Sequence, residues 1–156
     1  MKKIILLVLA LFVGIGHNTK FTYVGNEINV FKKIEVKKTK KINVINKYRG
    51  YITAYGPNCN GCSGITASGY NVRKTIYYHD KEYGKIRIVA ADKKIPFGTI
   101  VRINYADKKI IAIVLDRGSA IGFNKNALFD LLYKNERESN KFGKQKATIE
   151  ILRKGY

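Results

Sequence analysis

The chain has 156 residues, enough for one domain with its own hydrophobic core and a short extension. Its apolar content of 46% and its 11 tyrosines are typical of a folded protein and argue against a disordered chain. Its formal net charge of +19 indicates a polyanionic neighbourhood, such as nucleic acid, anionic lipid headgroups, or wall polymers that carry phosphate or carboxylate groups.

Residues 1–16, MKKIILLVLALFVGIG, place two lysines before an apolar run, and polar residues follow. This order is typical of a secretory signal. At ~1.5 Å per residue, the helical run would reach only ~20 Å, which is less than the ~30 Å hydrocarbon core of a membrane. The segment therefore favours a cleaved signal, with an uncleaved N-terminal anchor as the alternative. Both interpretations take the chain to the periplasm, the cell wall or the extracellular space, and so disfavour nucleic acid as a partner.

Residues 17–47 read as a basic linker rich in Lys, Asn, Ile and Val, with KKIEVKKTKKINVINK at its centre. One interpretation is a solvated tether whose charges repel each other. The other is a polybasic patch that holds the protein near anionic wall polymers or a membrane surface, through an attraction that salt screens over ~8 Å. Both stay open, and residues 48–156 are predicted to form the folded domain.

The predicted domain begins with a strand, Tyr48–Tyr55, in which aromatic and β-branched residues alternate. The loop GPNCNGCSG follows and contains both cysteines, Cys59 and Cys62. A zinc site is disfavoured, because structural zinc normally takes four ligands and only His79 remains in the domain. A redox motif is also disfavoured, because extended sequence follows the pair. For an exported protein the sequence favours a local disulfide, and it predicts no metal and no cofactor.

Two further strands are predicted after this loop. The first is Thr75–Tyr78, and the second is the buried Arg87–Ala91, which ends at Asp92. His79 and Asp80 are adjacent and suggest a catalytic pair. Neighbours in a strand point to opposite faces, however, so we expect both to be surface residues.

A hairpin is predicted in the middle of the domain. Its first strand is Thr99–Tyr105, its turn is ADKK, and its return strand is IIAIVL, which Asp116 follows directly. The segment FNKNALFDLLY contains Asp130, and its periodicity permits either a strand or a helix. A short helix is predicted at Glu136–Phe142 and a closing strand at Ala147–Leu152. Many short strands with few helices indicate an all-β barrel.

Three aspartates, Asp92, Asp116 and Asp130, lie inside or at the ends of strongly apolar runs. An aspartate beside a buried strand loses hydration, and its charged form is disfavoured unless a partner compensates. One such residue usually caps a turn. Three in one small domain indicate a carboxylate site.

Four stretches of the chain resemble one known family: YITAYGPNCNGCSGITASG, RIVAADKKIPFGTIVRI, AIVLDRGSAIGFNKNALFDLLY and FGKQKATIEIL. They cover roughly residues 50–153 in that family's order. The family is the three-aspartate (3D) domain of bacterial cell-wall proteins, shared with stationary-phase survival proteins and the catalytic part of membrane-bound lytic transglycosylase A. The resemblance implies a mainly β fold, a small double-psi β-barrel with one or two short helices, and cleavage of the glycan strands of peptidoglycan.

The resemblance also implies a reaction. Lytic transglycosylases cleave the bond between N-acetylmuramic acid (MurNAc) and N-acetylglucosamine (GlcNAc) without water and leave a 1,6-anhydro product, so one carboxyl group can act as acid and then as base. We expect Asp116 in this role, because it follows the most apolar run and precedes GSAIG. Asp92 and Asp130 would complete the trio, with like charge that favours its protonated form. Arg117 is expected to point away, because a close ion pair would favour the charged form.

A set of substrate-binding residues follows from the same resemblance: Thr66, Ser68, Gly69, Gly118 and Ser119. The hydroxyls of Thr66 and Ser68 would bond to sugar hydroxyl or acetamido groups. Capping of their own turn is at least as good an interpretation of both residues.

The sequence supports two functions of different classes. The first is an exported lytic transglycosylase whose partner is the peptidoglycan glycan strand. The alternative is a non-catalytic wall-binding or wall-remodelling module, which the charge of +19 supports because it provides affinity for anionic wall polymers without chemistry. A third function, nucleic-acid binding, would be favoured only if residues 1–16 were not a signal.

Overall fold

The computed structural model describes residues 43–156, which contain seven strands and one helix. The elements are β1 Asn46–Tyr55, β2 Tyr77–Asp80, β3 Gly84–Ala91, β4 Ile100–Tyr105, β5 Lys108–Arg117, β6 Phe129–Leu132, α1 Glu136–Phe142 and β7 Gln145–Arg153. The predicted signal or anchor, and the predicted linker up to residue 42, lie outside this range.

Six strands close into a barrel in the order β3-β5-β4-β7-β1-β6, and β6 pairs back with β3. The pairs β1–β6 and β3–β5 are parallel and the other pairs are antiparallel, while β2 extends the sheet beside the start of β3. Closure leaves the barrel strands without open hydrogen-bonding edges. The predicted fold class, a mainly β double-psi β-barrel with one or two short helices, is confirmed, with one helix in the part of the chain that the structure describes.

Strand alternation divides most of the buried apolar residues between two large clusters, and a third, small one contains Ala90, Ile121 and Ala127. The barrel interior includes Ile52, Val89, Ala91, Val101, Ile103, Val114, Phe129, Leu131 and Ile149. A second cluster lies on the outer face and includes Val72, Ile76, Ile86, Ile88, Ile113, Leu115 and Leu132. Because β3 and β5 are covered on both faces, their sequences read as continuous apolar runs rather than as alternating ones.

The observed elements follow the predicted ones with shifted ends, and they settle the ambiguous segment. Phe129–Leu132 is a strand because it pairs with both β1 and β3, through Ile52↔Phe129 and Val89↔Leu131. The return strand of the hairpin extends to Arg117, so Asp116 lies inside β5 and does not follow it. This extension matters for the site described below.

Helix α1 has the predicted ends. The Asn135 side chain accepts a hydrogen bond from the Glu138 backbone N–H, and Gly143 ends the helix with φ of 62°. No helix among residues 43–156 is long and apolar enough to cross a membrane.

His79 and Asp80 do not form a catalytic pair. His79 is exposed, whereas Asp80 forms an ion pair with Arg153 that ties the end of β2 to the end of β7. This hydrogen bond lowers the pKa of Asp80 to about 2. The ion pair between Asp80 and Arg153 therefore has a structural role in the fold.

Candidate carboxylate site

Two of the three aspartates lie in one row across the outer face of the barrel. Ala90 on β3 pairs with Asp116 on one side and with Asp130 on the other, and Asp130 pairs in turn with Thr53 on β1. Laterally paired residues share a face of the sheet, and a strand spacing of ~4.8 Å puts the two aspartate Cα atoms roughly 10 Å apart. Val89, the neighbour of Ala90, points into the barrel. The two carboxyl groups therefore lie on the outer face of the sheet, where Ile121 and Ala127 pack against Ala90.

A β-bulge brings Asp116 into this row. The register changes from Val89↔Val114 to Ala90↔Asp116, which leaves Leu115 as an extra residue on β5. Strict alternation after the inward-facing Val114 would turn Asp116 into the barrel. Bulges re-aim side chains in this way and are common beside functional sites.

Asp116 is held by three hydrogen-bond donors. Its Oδ2 accepts from the Tyr55 hydroxyl at 2.7 Å, and its Oδ1 accepts from the backbone N–H groups of Ala67 and Arg117, each at 2.8 Å. These contacts hold the Asp116 carboxyl group in one position. The proton-donor role that the sequence suggests for Asp116 stays a prediction.

Asp130 has the contrasting environment. Its Oδ1 atom is buried and has no hydrogen-bond partner among the described residues. Burial raises the pKa of Asp130 to about 6, the Thr53 side chain acts in the opposite direction, and the charge of Asp116 adds to the increase. A carboxyl group with this pKa is partly protonated near neutral pH. Asp130 is therefore a candidate proton donor beside Asp116, for which the sequence predicts that role.

Tyr55 was missed by the sequence reasoning. It lies two residues after Thr53, hence on the same face of β1, and it packs against the small cluster of Ala90, Ile121 and Ala127. Burial raises the pKa of Tyr55, and the charges of Asp116 and Asp130 raise it further, so the hydroxyl stays protonated and donates to Asp116. Its place at the end of an alternating strand was the available signal.

Asp92 lies at the edge of the site, where its side chain accepts a hydrogen bond from the backbone. Its Oδ1 accepts from the Lys94 N–H at 2.9 Å, which shapes the turn after β3. Gly122 approaches it so closely that a Cβ there would lie 2.2 Å from Asp92 Oδ2. The structure thus brings Asp116 and Asp130 together across Ala90 and places Asp92 at the margin, against the loop that joins β5 to β6.

The Arg117 guanidinium does not pair with the Asp116 carboxylate, since its Nη1 donates to the backbone oxygens of Asp116 at 3.3 Å and Ala91 at 3.5 Å. Its guanidinium carbon lies 3.8 Å from the centre of the Phe97 ring, and no ion pair within 4 Å involves it among residues 43–156. Burial lowers the pKa of Arg117, while Asp92 and Asp116 act in the opposite direction. The neutralisation of Asp116 by this arginine is therefore limited.

We expect Gly122→Ala to destabilise the protein by about 1–3 kcal/mol, through close contact with Asp92 and a φ of 146° that L side chains rarely adopt. Gly84→Ala is the matched control, because its φ is 67° but open space surrounds it. Urea unfolding of both variants measures the difference. Equal losses would show that Asp92 does not restrict this position.

In the predicted substrate-binding turn, some residues stabilise the turn itself and others are accessible to a ligand. Thr66 is only 3% exposed, and its hydroxyl accepts from the Tyr70 N–H at 2.9 Å, so it caps its own turn. Ser68 donates its backbone N–H to Leu115 O at 3.1 Å, which seats the turn on β5. Gly69 is exposed, with φ of 85° and open space around it. Thr66 therefore has the capping role that the sequence left open, and Gly69 stays accessible near Asp116.

Gly118 and Ser119 begin the loop that follows β5. Gly118 is half-buried against the Ile121 side chain, and Ser119 is exposed. An isolated bridge between Ile121 and Ala127 closes this loop beside Ala90. The two residues thus lie at the mouth of the site.

Cys59 and Cys62 are joined by a disulfide, with their Cα atoms 5.1 Å apart. The Cys62 N–H donates to Cys59 O at 2.9 Å, and Asn58 Oδ1 accepts from the Glu136 N–H, so the loop is tied to the start of α1. Within the described residues no three His, Cys, Asp or Glu side chains are grouped to hold a metal ion.

No protein-family model matches the sequence. Similar proteins include two from Bacillus subtilis (strain 168). The SPbeta prophage-derived uncharacterized protein YorM is 33% identical over 116 residues, which cover 73% of this chain and 45% of YorM. The putative cell wall shaping protein YabE is 33% identical over 101 residues, which cover 64% of this chain and 21% of YabE. The matched regions thus span less than half the length of either relative.

Proposed function

We propose that this chain is an exported lytic transglycosylase of the three-aspartate type, which cleaves the MurNAc–GlcNAc bond of peptidoglycan with Asp130 as its acid and base. The observation that carries this proposal is the environment of Asp130, a carboxyl group on the outer face with a buried, unpartnered oxygen and a pKa raised to about 6. The similarity to YabE, named as a putative cell wall shaping protein, supports a role at the wall and a location outside the cytoplasm. The signal-like residues 1–16 support export.

In the proposed reaction, protonated Asp130 donates its proton to the glycosidic oxygen as the bond from that oxygen to C1 of MurNAc breaks. Positive charge then develops on C1 and the ring oxygen. The resulting Asp130 carboxylate takes the proton of the C6 hydroxyl, and O6 forms a bond to C1. The products are a 1,6-anhydro end and a free GlcNAc hydroxyl, and Asp130 regains its proton, so no water is consumed.

Asp116 would stabilise the positive charge that develops in this reaction, and Tyr55 would hold Asp116 in position. The three donors hold the Asp116 carboxyl group in place across Ala90, where its negative charge would stabilise positive charge at C1. The same charge favours the protonated state of Asp130 before the reaction. Tyr55 fixes the position of the Asp116 carboxylate, and it is a positioning residue.

The product identifies the reaction. Purified peptidoglycan is incubated with the full chain, and the soluble fragments are analysed by mass spectrometry. We expect anhydro-muropeptides, which are 18 Da lighter than the products that a hydrolase leaves with reducing ends (about the mass of one water, since none is added). Reducing ends instead of anhydro ends would make the protein a hydrolase.

The alternative is a non-catalytic wall-binding or wall-remodelling module, which the net charge of +19 favours. Sedimentation with purified sacculi measures binding separately from cleavage. Binding that fades with salt, without any soluble fragment, would support this alternative and overturn the catalytic proposal.

A further inference from the structure

An open trough of about 580 Å³ lies on the outer face of β1, β7 and β4. Strand pairing aligns its polar side chains, because Arg49 and Asn104 both pair with Thr148, and Tyr51 pairs with Lys146. These residues face outward, since the intervening Ile52 and Ile149 lie in the barrel interior. The function proposed above makes no use of this surface.

The trough lies in line with the row of carboxylates along β1. Tyr51 and Thr53 lie on the same face of β1, roughly 7 Å apart along the strand. Thr53 is in turn the strand partner of Asp130. A polymer held at Asp130 and running along β1 would therefore reach Tyr51 first and Arg49 next.

The chemistry of the trough combines an accessible ring with positive charge. The side chain of Tyr51 is an exposed aromatic, 39% accessible, and the Lys144 ammonium lies 4.3 Å from its ring centre. Arg49 and Lys146 are exposed, and none of the residues that line the trough in the described part of the chain is acidic. The nearby Glu150 is already compensated by Arg102, at 2.6 Å.

Sugar rings stack on aromatic side chains through their C–H groups, while guanidinium and ammonium groups bind carboxylates. Asn104 and Thr148 add a side-chain amide and a hydroxyl group, both able to form hydrogen bonds, to the lining of the trough. A polymer with both features is a glycan whose sugars carry carboxylate-bearing substituents. A simple phosphodiester chain would use the cations but leave Tyr51 without a ring partner.

We propose that this trough binds the acidic glycan strand on the side of the scissile bond next to Thr53, with Tyr51 against a sugar ring and with Arg49 and Lys146 on its carboxylates. The proposal rests on the proposed function for the identity of the polymer. It adds a binding site outside the carboxylate row and predicts that affinity and catalysis can be separated.

The test measures binding of full-length chains that carry Asp130→Asn, so that no cleavage disturbs the equilibrium. In this background Tyr51→Ala and the double variant Arg49→Ala/Lys146→Ala are compared on peptidoglycan freed of phosphodiester polymers. We expect each to weaken binding about tenfold, as is usual for the loss of aromatic or arginine anchors. Thermal unfolding of each variant checks that these exposed substitutions leave the fold intact.

The matched control is Lys74→Ala/Lys134→Ala, which removes the same charge from a hollow beside Tyr77 on another part of the surface. It should bind nearly as well as its parent. Equal weakening by the control would mean that net charge alone acts, and a loss seen only on walls that retain phosphodiester polymers would assign the trough to phosphate. Either result overturns the proposal. Trough-dependent binding without any anhydro product from the wild-type chain would instead remove the catalytic proposal and leave the trough as a glycan-binding site.

Discussion

The Asp130→Asn chain is expected to release 1,6-anhydro product roughly 10²- to 10⁴-fold more slowly than the wild-type chain, the range that a positioned general acid and base contributes. Asparagine has nearly the same shape as aspartate, but it cannot donate a proton to the glycosidic oxygen or take one from the C6 hydroxyl. The rate of anhydro-muropeptide release, followed by mass spectrometry at pH 6, measures the effect. Binding to sacculi should survive, because the basic surface is unchanged.

Asp116→Asn is the informative comparison. It keeps an oxygen for the N–H donors but removes the negative charge, so we expect a partial loss of rate, about tenfold, with the same product. Tyr55→Phe keeps that charge and removes only the hydroxyl that positions Asp116 Oδ2, so its loss of rate should be smaller than that of Asp116→Asn. Abolished activity in Asp116→Asn together with near-normal activity in Asp130→Asn would reverse the two roles.

The contribution of Asp130 to the free energy of unfolding is expected to fall as pH rises from about 4 to about 7. The Asp130→Asn variant should lack this pH dependence. The pKa of Asp130 is about 6 in the folded protein against an ordinary value of 3.8, so the folded state binds the proton more tightly than the unfolded state. The stabilisation is complete below the unfolded value and is lost as pH passes the folded one. A difference of two units corresponds to about 2–3 kcal/mol.

Urea unfolding at pH 4 and pH 7.5 provides the measurement. The quantity to compare is the difference in unfolding free energy between Asp130→Asn and wild type, because other titrating groups cancel in it. This difference should shift in favour of the variant at the higher pH. A constant difference would mean that Asp130 is not buried in the way that the structure indicates.

Asp80→Asn provides a control of opposite sign. The hydrogen bond from Arg153 lowers the pKa of Asp80 to about 2, so its stabilising effect is present above the unfolded value and is lost as pH falls toward 2. The variant should therefore lose stability relative to wild type at pH 7.5 and lose less at pH 3. Opposite trends in the two variants would separate a buried carboxyl group from an ion-paired one.

Several structural features could be predicted from local sequence. Helix α1 lies at the predicted Glu136–Phe142, and the residues that bound it are adjacent in the chain: Asn135 caps its start, and Gly143 ends it. The proposed cysteine pair is close for the same reason, since only two residues separate Cys59 from Cys62. The strand or helix character of residues 129–132 could not be predicted, because the hydrogen bonds that form β6 come from β1 and β3.

The ranking of the aspartates shows the limit of that reasoning. Apolar neighbours in sequence made Asp116 the expected acid. Its Tyr55 and Ala67 donors, however, lie 61 and 49 residues away along the chain, and a bulge at Leu115 turns it toward them. Asp130 has similar neighbours in sequence, but one of its oxygens is buried and has no donor among residues 43–156.

The sequence by itself determined the barrel class, the short helix, and the presence of three aspartates beside buried strands, because hydrophobic alternation and capping act over a few residues. Only the tertiary structure decided which carboxyl group receives donors and which loses its water. Strand register and the docking of the turn at residues 66–70 set those environments, and both depend on contacts between distant segments. The same packing placed Tyr51 and its neighbouring cations in line with Asp130, a relation that spans β1, β6 and β7.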